Sequence, residues 1–315
     1  MLVLTRSDVE ELLDLDELVG ALARAHEELS TGTVSMPPRI AATKSDGLLG
    51  AMPAYLPSAG LGCKLVSLFP KNTDRPTHQA VILLFDPETG TPAALLDGTY
   101  ITEMRTAGAA ALAARLLARD DARVLAILGT GAQARSHVEM FRRVRDWQEI
   151  RIAGRDPEKA RRLADELDLT AAASFEKAVR GADVVAATTH ATEPVVRAEW
   201  VTPGTHISSV GYAAPASELD PELVRSATIV VESRDSSFAA PPGGAPELAE
   251  VDPATVAELG ELVAGRRRGR TTPIEITLYK SVGVAVQDLA AAALVLAAAR
   301  ERGAGLEIEL EEIHA

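Results

Sequence analysis

The residues predict an α/β fold in two parts. Three observations carry this. After Asp120-Asp121, apolar runs rich in Val and Ile alternate with amphipathic stretches, the rhythm of parallel strands joined by helices. Between Arg39 and Leu96, β runs instead follow one another directly, with helical patterns on either side. The chain of 315 residues also exceeds one typical domain of about 150. Apolar residues make up 47% and charged residues 24%, an ordinary globular balance that excludes a disordered tail, a fibre or a collagen-like repeat.

In chain order, Ser7-Asp-Val-Glu10 reads as a capping box opening a short helix. A second helix runs from about Asp16 to Leu29, with Leu18, Ala21, Leu22 and Ala25 at helical spacing and Thr31-Gly32 as its stop. The β runs RIAAT, LLGAMPAY, LGCKLVSLF, QAVILLF and PAALL follow, the last two joined by the turn Asp86-Pro-Glu-Thr-Gly90. Residues 102–118 are helical. Then VLAIL (124–128), IRIAG (150–154), ADVVAATT (182–189), HISSVG (206–211) and TIVVES (228–233) are strands without polar alternation, as expected of a parallel sheet covered on both faces. Helices fall over about 133–145 and from Pro157 to Leu167, and an acidic one around Pro253–Ala264. A last strand in ITLYKSVG leads into an Ala-rich helix over about 284–301, and LEIEL (306–310) reads as an edge strand.

Composition limits the partners. The formal net charge is −13, which makes nucleic acid and anionic membrane poor partners for the whole chain. The most apolar stretch, between Asp288 and Arg300, is too short to cross a bilayer, and the N-terminus shows no signal-peptide pattern. The single cysteine, Cys63, permits no internal disulfide, fits a reducing cytoplasm, and reads as a small apolar strand position. The six histidines show no metal spacing, and no metal is expected.

The chemistry starts at VLAILGTGAQA, residues 124–134. A buried strand ends in Gly129-x-Gly131-x-x-Ala134 and opens a helix. The first glycine permits the tight turn, the second lets backbone approach a pyrophosphate, and the alanine allows close helix–strand packing. Gly129, Gly131, Ala132 and Gln133 are therefore candidate cofactor contacts in a Rossmann-type dinucleotide-binding domain. The next strand ends Ala153-Gly154-Arg155-Asp156. Gly154 stands where an NAD site usually puts an acid, and Arg155 follows, so NADP(H) is favoured over NAD(H); Asp156 keeps NAD(H) open.

The chain resembles the ornithine cyclodeaminase/mu-crystallin family over nearly its whole length. The resemblance runs through Met36-Pro-Pro-Arg39, Gly62-Cys-Lys-Leu-Val-Ser67, Phe69-Pro-x-Asn72, Leu96-Asp-Gly98, Ile101-Thr-x-x-Arg-Thr106, the Gly129 turn, Glu218-Leu-Asp220, Gly265-Arg266…Gly269-Arg270 and Leu278-Tyr-Lys-Ser-Val-Gly283…Gln287-Asp288. It implies a Rossmann domain, placed at 118–299, plus a discontinuous α+β substrate-binding and dimerisation domain, placed at 1–117 and 300–315, in a homodimer. It also implies an oxidoreductase acting on a small amino or imino acid.

Arg39, Lys64 and Arg105 match the family's substrate site, and Lys64 and Arg105 are the catalytic candidates. Arg offers a planar fork for a carboxylate. A lysine inside LGCKLVSLF is costly unless it meets an anion or a cavity. Arg105 is expected in the first turn of its helix. Gln79 matches a substrate-side position, and neighbouring His78 is a candidate for proton transfer. Thr189, Val210, Gly211, Ser281 and Gly283 match cofactor-side positions. In cyclodeaminases the loop after Val-Gly carries a proton-handling aspartate; here that position is Ala213, and Glu218 and Asp220 read as helix caps. Reduction of a ketimine such as pyrroline- or piperideine-2-carboxylate is thus the leading expectation. Ornithine cyclodeamination, alanine-type dehydrogenation and NADPH-dependent ligand binding are the alternatives.

Overall fold

The computed structural model describes residues 1–211, 217–241 and 243–310. The chain divides into two compact units, Met1–Arg105 with Val284–Ala315, and Thr106–Gly283. The first carries β1 (Leu2–Leu4), α1 (Arg6–Leu12), α2 (Leu15–Thr31), β2 (Ile40–Lys44), β3 (Gly47–Leu56), β4 (Gly60–Leu68), β5 (His78–Phe85) and β6 (Pro92–Asp97). The division falls inside α3 (Gly98–Leu117). The second holds β7 (Val124–Leu128), α4 (Ala132–Val144), β8 (Glu149–Ala153), α5 (Pro157–Leu167), β9 (Thr170–Ala171), α6 (Phe175–Val179), β10 (Val184–Ala187) and β11 (His206–Ser209). It continues with α7 (Pro221–Ser226), β12 (Thr228–Val231), α8 (Arg234–Ser237), β13 (Ala257–Glu258), α9 (Leu259–Val263) and β14 (Thr277–Lys280). The chain returns to the first unit with α10 (Ala285–Arg302) and β15 (Leu306–Glu307).

Unit 1 is a seven-stranded sheet in the order β15-β1-β6-β5-β4-β3-β2. Its pairs are antiparallel except β1 with β6. One face packs on α10, which contacts β3, β4 and β5 and also lies against α2. Gly62 makes this possible, since a Cβ there would meet Leu289 of α10 at 3.5 Å and the β5 backbone at 2.7 Å. The opposite face is apolar but uncovered. The register puts Ile40, Leu49, Tyr55, Leu61 and Val81 on that face, and they stay 69%, 52%, 39%, 38% and 40% exposed.

Unit 2 is an eight-stranded sheet, parallel throughout its described pairs, ordered β13-β12-β14-β11-β10-β7-β8-β9. From β7 the strands run outward to β8 and β9 on one side and to β10 and β11 on the other. That reversal is the topological switch point of a Rossmann sheet, where ligands meet the strands' carboxyl ends. The core is built from the unbroken apolar strands, with Leu128, Val185, Ile207, Val231 and Leu278 all buried.

Several expectations change on contact with the structure. The first helix is capped by Thr5, whose side chain pairs reciprocally with Asp8, two residues before the expected box. The acidic stretch 253–264 is not one helix but a 3₁₀ turn, Pro253–Thr255, followed by β13 and α9. β1 was not foreseen, because three residues show no alternation. The expected boundaries, 1–117 with 300–315 and 118–299, differ from the observed units at both joints. The last helix is the reason: α10 buries its apolar sides against α2 and the unit 1 sheet, and carries Val284 onward with it.

Candidate functional site

Unit 1 holds a buried ionic cluster. Lys64, in the middle of β4, lies 2.7 Å from Asp288 of α10. Arg105 of α3 donates from Nε to the other Asp288 oxygen at 2.9 Å and from Nη1 to Gln287 Oε1 at 2.6 Å. All four side chains are buried. The helix α3 starts at Gly98, so Arg105 lies two turns in and not in the first turn. The free N–H groups of a helix start are therefore not available there, and its cation alone serves.

Burial pushes the Lys64 ammonium down, and Arg105 and Arg39 push it further; Asp288 opposes them, leaving it at about 8. Burial by itself raises the Asp288 carboxyl, but Arg105 and Lys64 outweigh it and hold it below the usual range. Arg39, half-buried before β2, is thus within electrostatic reach of Lys64. Of the three expected cations, Lys64 and Arg105 meet on Asp288, and Arg39 acts on Lys64 electrostatically. Gln79 does not join them: it pairs with Ser67, on the sheet face opposite Lys64, whereas His78 pairs with Leu68 on the Lys64 face. Strand alternation makes that separation unavoidable.

Asp288 was missed as a functional group. The sequence did hold the signal, an acid at the head of an Ala-rich helix that is buried nearly all round. Such an acid needs cations.

Unit 2 builds its site from backbone. Gly129 adopts φ +129°, and a Cβ there would lie 2.5 Å from Thr188 Oγ1, so both its conformation and its space require glycine. Gly131 is the N-cap of α4 and offers no side-chain cap, and a Cβ there would meet open space. Ala134 N–H bonds back to Gly131 O at 3.1 Å, so the N–H groups of Ala132 and Gln133 are the ones left for a ligand at the positive end of a 13-residue helix. Ala134 is buried, as close helix–strand packing requires. The turn fits a pyrophosphate. At the end of β8, Gly154 is pressed by Thr130, 2.7 Å from where a Cβ would stand. Arg155 is exposed, and Asp156 is engaged in capping α5 through Glu158 and Lys159 N–H.

The cofactor-side positions cluster at the carboxyl ends of β10, β11 and β14. Buried Glu218 is their hub. One of its oxygens accepts from Thr189 N–H at 3.1 Å and Oγ1 at 2.8 Å; the other accepts from Ser209 Oγ and Gly211 N–H, both at 2.8 Å. Glu218 is therefore not a helix cap. Asp220 alone caps α7. Lys280, buried in β14, donates to Ser209 Oγ and Gly211 O and pairs with Glu247 at 3.0 Å. Lys280 carries the same signal in the string as Lys64, a lysine inside an apolar strand. Buried Glu232 accepts from Ser281 Oγ, Val282 N–H and Gly283 N–H, each at 2.8 Å, and so shapes the segment before α10. Val210 N–H bonds Ala187 O at 3.0 Å. Ala213 lies outside the described residues.

Comparison with known proteins agrees with this geometry. The family model for the ornithine cyclodeaminase/mu-crystallin family matches residues 1–303. The ketimine reductase mu-crystallin of Mus musculus is 42% identical over 272 residues, covering 84% of this chain and 85% of that protein. Among solved structures, the Thermococcus litoralis Δ1-pyrroline-2-carboxylate reductase in complex with NADH and L-proline superposes with a TM-score of 0.92 at 36% identity, covering 98% of this chain and 100% of that one. An archaeal alanine dehydrogenase dimer with bound NAD gives a TM-score of 0.92 at 35% identity, over 99% of each chain. With a glycine-rich turn at the switch point of one unit and a buried cationic cluster in the other, this chain belongs to the ornithine cyclodeaminase/mu-crystallin family.

Proposed function

We propose that the protein is an NADPH-dependent reductase of small cyclic imino acids, with pyrroline- and piperideine-2-carboxylate as its substrate type. The observation that carries this is the buried Lys64–Asp288–Arg105 cluster. Of the charged groups acting most strongly on Lys64, one is negative and two are positive. A substrate carboxylate supplies the missing anion, and Arg39 and Arg105 grip it. Lys64, at about 8, is protonated at neutral pH yet acidic enough to protonate the imine nitrogen. When bound, the nicotinamide supplies the hydride to the imine carbon. Glu218 and Lys280 hold the Thr189 and Val210-Gly211 backbone on which the ring would rest, and the α4 N-terminus would hold the phosphates. The amine product leaves with one hydride on carbon and one proton on nitrogen, so the step balances.

NADPH is preferred because Asp156 is committed to capping and Arg155 is free to meet a 2′-phosphate. The uncovered apolar face of the unit 1 sheet supports a homodimer, since a contiguous exposed apolar patch marks an association surface. The lone Cys63 accords with a cytoplasmic setting. The test is a panel of cyclic imines, L-ornithine and pyruvate with ammonia, each with NADPH or NADH and followed by cofactor absorbance. Imine reduction with NADPH is expected. Turnover confined to ornithine, with ammonia released, or to pyruvate would overturn the reading. For the dimer, Leu61→Asp with Val81→Lys should halve the mass in light scattering; an unchanged mass would reject this face.

A further inference from the structure

We infer that His26 and Gln287 are positioning residues for Arg105, a brace that sets the guanidinium for carboxylate binding; this rests on the clamp reading above. His26 is fully buried on α2, where the other buried side chains are Leu18, Val19, Ala21, Leu22 and Ala25. An apolar residue would satisfy the packing of α2 on α10, so the histidine calls for another reason. Its Nε2 lies 3.0 Å from Gln287 Nε2. Gln287 Oε1, at the other end of the same amide, accepts from Arg105 Nη1 at 2.6 Å.

An amide has one accepting and one donating end. With its oxygen on Arg105, its NH₂ must find an acceptor, and Nε2 of the His26 ring, 3.0 Å away, is placed to provide one. The ring proton then sits on Nδ1. Turning the amide over would place NH₂ against the guanidinium, two donors facing each other. His26 therefore selects the amide orientation that holds Arg105. Asp288 fixes Nε of the same guanidinium. Among the described residues no group accepts from Nη2, which is left to meet a ligand.

The experiment measures steady-state kinetics with pyrroline-2-carboxylate, NADPH affinity by fluorescence and melting temperature for five proteins. These are the wild type, His26→Leu, His26→Gln, Gln287→Leu and the His26→Leu/Gln287→Leu pair. A glutamine at 26 can place its amide oxygen where Nε2 stands. His26→Leu should raise KM about tenfold with kcat within about threefold, and NADPH affinity should not move. His26→Gln should restore KM to within about twofold. The His26→Leu/Gln287→Leu pair should be no worse than Gln287→Leu alone, because both act on one brace. A KM unchanged in His26→Leu, equal losses in the Leu and Gln variants, or additive losses in the pair would overturn the brace. If His26→Leu does not fold, Gln287→Leu and His26→Gln decide alone: the first must raise KM and the second must not. A wild type that reduces no imine and binds no carboxylate would instead remove the clamp, and the brace with it.

Discussion

In unit 1 the proposed anion site is made of side chains, Lys64, Arg105 and Arg39, and the buried carboxylate of Asp288 holds the first two in place. In unit 2 the proposed anion site is made of backbone N–H groups at the start of α4, while the buried carboxylates Glu218 and Glu232 bind other backbone N–H groups and shape loops. The carboxylates thus do opposite work. Asp288 tunes charge on side chains. Glu218 and Glu232 fix chain path. A site made of side chains should fail by loss of charge, and a site made of backbone should fail by loss of space or shape.

The largest effect is expected in unit 1. Lys64→Met should lower kcat/KM for imine reduction by about 10²- to 10⁴-fold, the usual worth of a positioned acid. In the wild type the same constant should fall as pH rises through about 8, because Lys64 must be protonated to donate and burial has lowered it from the ordinary lysine range. Below that pH the rate should be flat as far as this group is concerned. Persistence of the alkaline limb in Lys64→Met would assign it to another group.

Next is the backbone site. Gly129→Ala forces a side chain into φ +129° and onto Thr188. NADPH affinity should weaken about 10- to 100-fold by fluorescence titration, from strain of about 1–3 kcal/mol. Carboxylate binding by calorimetry should be untouched. Equal loss of both would break the division of labour.

Glu218→Gln keeps the shape but turns one acceptor into a donor facing N–H or O–H groups. Leaving a buried donor unpaired costs about 1–3 kcal/mol, so kcat should fall about tenfold, with a smaller loss of NADPH affinity. An unchanged kcat would make Glu218 a stability element only. The smallest effect is Arg155→Ser, which should weaken NADPH about fivefold, the worth of an exposed and screened charge contact, and leave NADH unchanged in direct titration. Equal affinities for both cofactors in the wild type would remove the preference.

How far the sequence could be read follows the same contrast. The Gly129 turn was legible because glycine needs are local: a φ that only glycine tolerates shows as glycine in the string. Lys64 was legible because a lysine in an apolar strand is anomalous wherever the strand goes. Glu218 was misread because its neighbourhood in sequence, Glu-Leu-Asp-Pro, looks like a helix start, and only Asp220 caps that helix. The placement of Arg105 failed for a related reason. The cap is present in Asp97, whose side chain accepts from Tyr100 N–H at 2.8 Å, but Gly98 behind it is a poor helix former and hides the start.

By itself the sequence determined the two-part α/β organisation and the glycine turn after β7, since each depends on residue type and near-neighbour spacing; Arg39, Lys64 and Arg105 were implied by the family resemblance, and Lys64 also by its place in an apolar strand. Tertiary structure alone decided that Asp288 joins Lys64 to Arg105 across 224 and 183 positions of chain, that Gln79 faces away from them, and that α10 belongs with unit 1. The physical reason is range. Backbone preference and periodicity act over a few residues, whereas the pairing of a buried charge is settled by whichever distant segment packing brings against it.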